Sequence, residues 1–352
     1  MKYSFFTKKL LEWNKKSNFR QMPWKNEPDP YKIWLSEIIL QQTRVEQGWN
    51  YYNNFIKNYP SIHNLSNADD NEVFKLWEGL GYYNRCKNLL TTARYISTEL
   101  FGVFPKTYEE VLSLKGIGPY TAAAIVSFAY GLPYAVVDGN VTRVLSRFFG
   151  IKTPIDSTKG KEEFTLLAQE LLDKKQAGKY NQAIMDFGAT ICKPKSPLCD
   201  VCCLSEECYA YNKNKINELP QKLKSIKIKE RWFYYLVLQH KDKVYVKKRI
   251  ARDVWQNLYE FVLINEATDQ QLTEADVIKK IESKFKSNSI NLKKVSDFYK
   301  QKLTHQTIHC KFFILEIKKL DKIKNGEWVD KSQMKKLAFP KVIVNYLNQE
   351  FD

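Results

Sequence analysis

Two carboxylates and four cysteines stand out in this chain by type and spacing. Glu37 shares a helical face with Ile33, Trp34, Leu40 and Gln41. A carboxyl in so apolar a stripe loses hydration, which raises its pKa and keeps it protonated near neutral pH. Asp138 sits in Val136-Val-Asp-Gly-Asn-Val-Thr-Arg143, a strand-like stretch running into a helix. An Asp there caps the helix, and the helix dipole holds it ionised. Taken singly, each has an ordinary reading, Glu37 as a rim residue paired with a Lys or Arg and Asp138 as a plain N-cap. Taken together, their surroundings push the two pKa values apart, as for a general acid beside an electrostatic stabiliser or nucleophile. Cleavage of an N-glycosidic bond needs such a pair: one group protonates the leaving base, the other stabilises an oxocarbenium-like sugar.

Cys192, Cys199, Cys202 and Cys208 follow the spacing C-x6-C-x2-C-x5-C. Four thiolates that close in sequence can wrap a [4Fe–4S] cluster or a tetrahedral zinc ion. Zinc sites usually use two C-x2-4-C knuckles, and only one such pair is present, so the spacing favours iron–sulfur. Cys203 reads as spare, and Cys86 and Cys310 as small buried hydrophobes. The crowded cysteines, with no apolar leader in MKYSFFTKKL, point to a metal site in a reducing, intracellular (cytoplasmic, nucleoid-associated) setting. No apolar run reaches the roughly 18 residues of a membrane span. The net charge of +17 favours a polyanionic partner, nucleic acid first.

The elements that must position these groups follow from length and pattern. A chain of 352 residues suggests more than one domain. Residues 1–212 read as mainly helical. Asp29 as N-cap and Pro30 at the first position open a helix expected to run through Val45. Thr107-Tyr-Glu-Glu110 is a capping box opening a short helix to Leu114, and Pro119 starts an Ala-rich helix ending near Gly131. Residues 107–130 therefore form a helix-hairpin-helix. Gly116 and Gly118 let backbone N–H groups converge on one DNA phosphate, a contact that positions without reading sequence. A plain tight turn between helices is the other reading. Residues 213–231 are Lys-rich, contain Leu219-Pro220 and read as a linker. Beyond them, strands are expected at 232–239, 243–249, 259–264 and 308–317 and helices at 273–285 and 330–348, an α+β domain over 232–352.

The hairpin, the Asp about twenty residues after it and the cysteine spacing resemble the endonuclease III superfamily of base-excision glycosylases. Trp34-Leu-Ser-Glu-Ile-Ile-Leu-Gln-Gln-Thr43, Leu76-Trp-Glu-Gly-Leu-Gly-Tyr-Tyr-Asn-Arg85 and Val137-Asp-Gly-Asn-Val141 narrow the resemblance to its adenine DNA glycosylases. The resemblance spans essentially the whole chain, most strongly residues 13–212. It implies a multidomain fold: a mainly α helix-hairpin-helix glycosylase domain with a [4Fe–4S] cluster loop at 192–208, plus a C-terminal α+β Nudix-like domain. It implies a monomer acting on double-stranded DNA with A:8-oxoguanine or A:G mispairs, with no membrane role.

By the same resemblance Glu37 protonates adenine, Asp138 stabilises the oxocarbenium ion, and Asn140 orients the water or assists Asp138. Strand-cutting relatives carry a Lys where this chain has Tyr120, which has no amine for a Schiff base. That implies a monofunctional glycosylase leaving an abasic site, with Tyr120 a catalytic aid near the sugar. Trp24, Leu40 and Gln182 resemble the adenine pocket. Gln42, Thr43, Leu80 and Tyr82 resemble the wedge and contacts around the opposing guanine, which fits the need to fill the stack when a base is extruded. Arg20 precedes Lys25, where the family usually has a second Arg; Lys25 keeps the charge but not the bidentate fork. The Nudix-like domain, whose start resembles Val254-Trp-Gln-Asn-Leu-Tyr-Glu-Phe261, would help recognise 8-oxoguanine and lacks a Glu-rich pyrophosphatase motif. Its lesion-reading stretch, often Phe-Ser-His, is here Thr307-Ile-His309. Ile308 offers no hydroxyl, so His309 or Thr307 would have to compensate. The rival readings are a mismatch thymine glycosylase on the same scaffold and a non-catalytic iron–sulfur DNA-binding protein.

Overall fold

The computed structural model describes residues 2–223, 228–268, 271–284, 290–318 and 325–350. Parts of the expected linker (213–231) and the last residue of the helix expected at 273–285 lie outside that set. The helices are α1 (Lys2–Ser17), α2 (Pro30–Leu40), α3 (Val45–Asn58), α4 (Ile62–Ser66), α5 (Asp70–Leu76), α6 (Asn84–Thr98) and α7 (Tyr108–Ser113). They continue with α8 (Pro119–Tyr130), α9 (Gly139–Phe149), α10 (Thr158–Leu171), α11 (Ala177–Thr190) and α12 (Tyr209–Asn212). After them come β1 (Lys229–His240), β2 (Lys243–Lys248), β3 (Tyr259–Glu260), β4 (Val262–Thr268), α13 (Glu274–Lys284), β5 (Ile290–Val295), β6 (Tyr299–Lys302), β7 (Gln306–Ile317), β8 (Glu327–Asp330) and α14 (Lys341–Glu350). Residues 1–67 and 87–224 form one compact unit; 68–86 and 225–352 form the other. Residues 68–86, inside the stretch expected to be helical domain, cluster with the second unit. Lys75 Nζ donates to Leu337 O at 3.1 Å, and Phe339 N donates to Glu78 Oε1 at 2.8 Å.

In the first unit, α2 opens as expected: the Asp29 side chain accepts from Tyr31 N, and Pro30 occupies the first turn. It stops at Leu40, five residues short of Val45, because Gln42 turns into the left-handed region at φ 57° before α3 restarts at Val45. Nearly every α2 side chain is buried, as are Thr121 to Ser127 of α8. The small Ala122, Ala123 and Ala124 keep α8 narrow in that core. The capping box at Thr107 is complete, with both reciprocal hydrogen bonds made. Gly116 sits at φ +82°, and a Cβ there would lie 2.7 Å from the Asn88 side chain. Gly116→Ala should therefore lose about 1–3 kcal/mol in urea unfolding; a loss under about 0.3 kcal/mol would contradict this account of the hairpin.

In the second unit, β1 runs parallel to β7 and antiparallel to β2 and β4. The sheet order is β3-β2-β1-β7-β5, with β4 on β1, β6 on β7 and β8 on β2. Tyr234, Leu236 and Leu238 pack with Val277 and Ile281 of α13 on one face. On the other, Phe312 stacks on Tyr346 of α14 with ring centroids 3.9 Å apart. A central strand covered on both faces carries a continuous apolar run, which is why β1 and β7 were legible in sequence. The helix expected over 330–348 is broken: a 3-10 turn, Lys331–Lys336, is followed by Pro340, and α14 begins only at Lys341. The residue before a proline is pushed out of the helical region, so one helix cannot run through.

Candidate active site

Asp138 is the N-cap of α9. Its Oδ1 accepts from Asn140 N at 2.9 Å and Val141 N at 2.7 Å, and its Oδ2 from Asn140 Nδ2 at 2.7 Å. The approach to it, residues 131–138, forms no strand, contrary to its strand-like sequence. Side chains take its N–H groups instead: Ala135 N donates to Gln169 Oε1 at 3.0 Å, and Val136 N to the buried Asn181 Oδ1 at 3.2 Å. Those bonds satisfy the backbone without a sheet and fix where Asp138 points.

Glu37 is 7% exposed. Burial pushes its carboxyl up to about 7; a hydrogen bond with Tyr120 opposes the rise and the charge of Asp138 adds to it. Burial also pushes Tyr120 well above the usual phenol range. Asp138 does not behave as its sequence suggested. Burial raises its pKa as well, and the hydrogen bonds from Val141 and Asn140, with the charge of Arg143, only hold it back. The two carboxyls are therefore both displaced upward, not in opposite directions. What separates them is bonding: three N–H donors meet the Asp138 oxygens, and donors of that kind favour its ionised form.

Glu37, Tyr120, Asp138 and Asn140 line one cavity of about 820 Å³. Arg20, Trp24, Lys25, Leu40, Gln42, Thr43 and Gln182 line the same cavity. Its volume lies in the range of ordinary ligand pockets. Gly116 and Gly118 lie on the hairpin, and Leu80, Tyr82 and His309 belong to the second unit.

Asp186, also in the cavity wall, was not among the expected site residues. It is fully buried and meets Arg20 Nη1 at 2.9 Å, Lys25 Nζ at 3.1 Å, Asn18 Nδ2 at 2.9 Å and Gln182 Nε2 at 3.0 Å. A carboxylate only accepts, so the Gln182 amide must present Nε2 to it, which leaves Oε1 as the acceptor on that side chain. The signal was its place four residues after Gln182, on the same face of α11. Arg143 was also missed: its Nη2 donates to Asn140 Oδ1 at 2.9 Å and its Nε to Cys192 O at 2.8 Å.

Cys192, Cys199, Cys202 and Cys208 line a second, small cavity with Arg147. Arg147 Nη1 donates to Cys192 Sγ at 3.6 Å and to Lys193 O at 2.7 Å. Cys203 faces away, its Sγ donating to Lys9 O at 3.7 Å, and Cys86 and Cys310 are buried as expected. Burial pushes the Cys202 thiol up to about 12 and raises Cys199 and Cys208, with repulsion from neighbouring thiolates adding to each. Four thiolates in that space need a cationic centre between them.

The sequence matches the family of HhH-GPD superfamily base excision DNA repair proteins over residues 35–172 and the NUDIX domain family over 233–349. It is 31% identical over 350 residues to an adenine DNA glycosylase of Buchnera aphidicola, covering 97% of each chain. The chain belongs to the adenine DNA glycosylase family. It is 40% identical over 214 residues to the human adenine DNA glycosylase, covering 58% of this chain and 39% of that one. A thermostable thymine-DNA glycosylase superposes with TM-score 0.56 at 30% identity, covering 60% of this chain and 97% of that one. An endonuclease III in a non-covalent DNA complex gives TM-score 0.51 at 20% identity, covering 60% and 95%, and shares the fold. The helical unit with its hairpin and the Nudix-like sheet domain thus agree with the expected fold class, and membership makes the protein a hydrolase of the DNA glycosylase type. None of the helices among the described residues is long and apolar enough to cross a membrane.

Proposed function

We propose that this protein excises adenine mispaired with 8-oxoguanine or guanine in double-stranded DNA, acting as an intracellular monomer that hydrolyses the N-glycosidic bond and leaves an abasic site. The observation that carries the reading is Glu37, raised to about 7 by burial, in one cavity with Asp138. Glu37 delivers its proton to the leaving base. Asp138, ionised, faces the positive charge that develops on the sugar, and Asn140, held by Asp138 and Arg143, orients the attacking water. Gln182 Oε1 accepts from the adenine amine, between Trp24 and Leu40. Arg20 and Lys25, turned onto Asp186, hold the cavity wall that carries Gln182, and the hairpin at Gly116–Gly118 takes a phosphate. Tyr120 offers no amine, so strand cleavage is not part of the reaction.

The four cysteines suit a [4Fe–4S] cluster, which when bound would tie residues 192–208 into one rigid loop. No group of three or more His, Cys, Asp or Glu among the described residues converges as a single ion requires. The four sulfurs line a shared cavity all the same, and their C-x6-C-x2-C-x5-C spacing, with a single C-x2-C pair, favours iron–sulfur over zinc. Iron analysis should find iron in the purified protein and much less in Cys199→Ser; zinc in its place would overturn this assignment.

The activity test is single-turnover base release from duplexes carrying A:8-oxoguanine, A:G and T:G. Adenine release without strand scission in the absence of heat or base is expected. Thymine release alone would favour the mismatch thymine reading, and no release from any duplex would favour a non-catalytic one.

A further inference from the structure

Asp186 is 0% exposed, so it acts on a base only through its neighbours. Three of its four partners, Arg20, Lys25 and Gln182, line the cavity that holds Glu37 and Asp138. Its Oδ1 takes Arg20 Nη1 and Gln182 Nε2, and its Oδ2 takes Asn18 Nδ2 and Lys25 Nζ. Two donors on each oxygen fill the directions a carboxylate offers. The surroundings are anchored in turn: Lys25 Nζ also donates to Arg20 O at 2.7 Å, Asn18 Nδ2 to Asn14 Oδ1 at 2.7 Å, and Thr190 Oγ1 to Asp186 O at 2.8 Å.

Of the three partners in the cavity wall, Arg20 and Lys25 can only donate. The Gln182 amide has a donor end and an acceptor end and could face either way. Reversed, it would set Oε1 against Asp186 Oδ1 across the 3.0 Å that Nε2 now spans. Oxygen against oxygen in a buried wall is costly, because little solvent screens it. Asp186 therefore decides which end of Gln182 is left for a ligand, and that end is the acceptor.

We propose that Asp186 is a positioning residue that sets base selectivity: by fixing the Gln182 amide it makes the pocket accept 6-amino purines and reject 6-oxo purines. The inference rests on the adenine-excision reading above. A 6-amino group donates to Gln182 Oε1. A 6-oxo group brings a second acceptor to the same place and leaves both oxygens without a proton between them. Guanine is a 6-oxo purine, so the same orientation keeps the enzyme from excising guanine instead of adenine. The alternative role is a plain counter-charge for Arg20 and Lys25, which would support the wall without any preference at position 6.

The test compares single-turnover release of adenine and of hypoxanthine, each opposite 8-oxoguanine. Both bases carry the same N7, so protonation by Glu37 is common to the two. In Asp186→Ala the Gln182 amide is free to turn and donate to a 6-oxo group, and the adenine to hypoxanthine ratio should fall about tenfold. Asp186→Ser should do the same and serves if Asp186→Ala proves unfolded by its melting temperature, because its hydroxyl can bond the backbone one turn back and still leave the amide loose. Adding Gln182→Glu to Asp186→Ala moves the carboxylate one turn, returns a counter-charge to the wall and offers the base an acceptor in either rotamer. That double variant should recover most of the ratio. Ratios in Asp186→Ala and Asp186→Ser within about twofold of wild type, with both rates lowered alike, leave only the counter-charge role and overturn the proposal. A double variant no more selective than the single one overturns it as well. Wild-type protein that releases no adenine opposite 8-oxoguanine fails the parent reading instead, before any variant is made.

Discussion

Glu37→Gln should slow single-turnover base release by about a thousandfold while binding the same duplex, because a positioned general acid contributes about 10²–10⁴. Gln keeps the shape and the hydrogen-bonding reach of Glu37 but has no proton to give. In the wild type, release should fall as pH rises through about 7, where the carboxyl ionises; in Glu37→Gln that limb should vanish. The same burial carries a stability consequence of opposite sense. The folded pKa of about 7 exceeds the unfolded value near 4.5, so the native state binds the extra proton in between. Stability linked to Glu37 is full below about 4.5, is lost between there and about 7, and stays lost above. The loss at pH 8 is about 3 kcal/mol. Glu37→Gln should therefore be more stable than the wild type at pH 8 and equal to it near pH 4.5, measured by urea unfolding. Wild-type rates from the variant would remove Glu37 as the acid; equal stabilities at pH 8 would show that its pKa is ordinary.

That trade explains why parts of this site could be read from sequence and others could not. Glu37 was legible because its neighbours at helical spacing are apolar, and burial is what makes it an acid. Asp138 was legible as an N-cap, and the bonds from Asn140 and Val141 are those of an N-cap. Its own burial was not, since that depends on what packs over residues 131–138 from α10 and α11. The end of α2 at Leu40 was also hidden: no Gly or Pro marks it, and the left-handed Gln42 that makes it is a tertiary effect. In the second unit the central strands β1 and β7 were found and β5, β6 and β8 were not. The central pair is apolar on both faces, whereas β6 reads Tyr-Lys-Gln-Lys and β8 Glu-Trp-Val-Asp, which alternate too weakly to announce a strand. Asp186 escaped because its place four residues after Gln182 announces only one donor, and the other three converge on it from outside α11.

Asp138→Asn should lower base release by about 10²–10³, the scale of losing one preorganised charge at a transition state, and here the fold is expected to hold. Asn is as good an N-cap as Asp, and its Oδ1 can still accept from Asn140 N and Val141 N. The substitution does set an Nδ2 against Asn140 Nδ2, where a 2.7 Å hydrogen bond now stands. Asn140 must then turn, but Arg143 Nη2 holds its Oδ1 at 2.9 Å, so water orientation suffers along with the charge. Asp138→Ala separates the two effects, since it adds the loss of the cap, about 1 kcal/mol of stability, to a similar loss of rate. The charge of Asp138 also raises Glu37. In Asp138→Asn the alkaline limb of any residual activity should therefore move to lower pH. A double variant with Glu37→Gln should fall little below the slower single one, because an acid and a stabiliser that share one transition state do not contribute independently. Fully additive losses, or an alkaline limb that stays in place, would mean the two carboxylates do not act on the same bond.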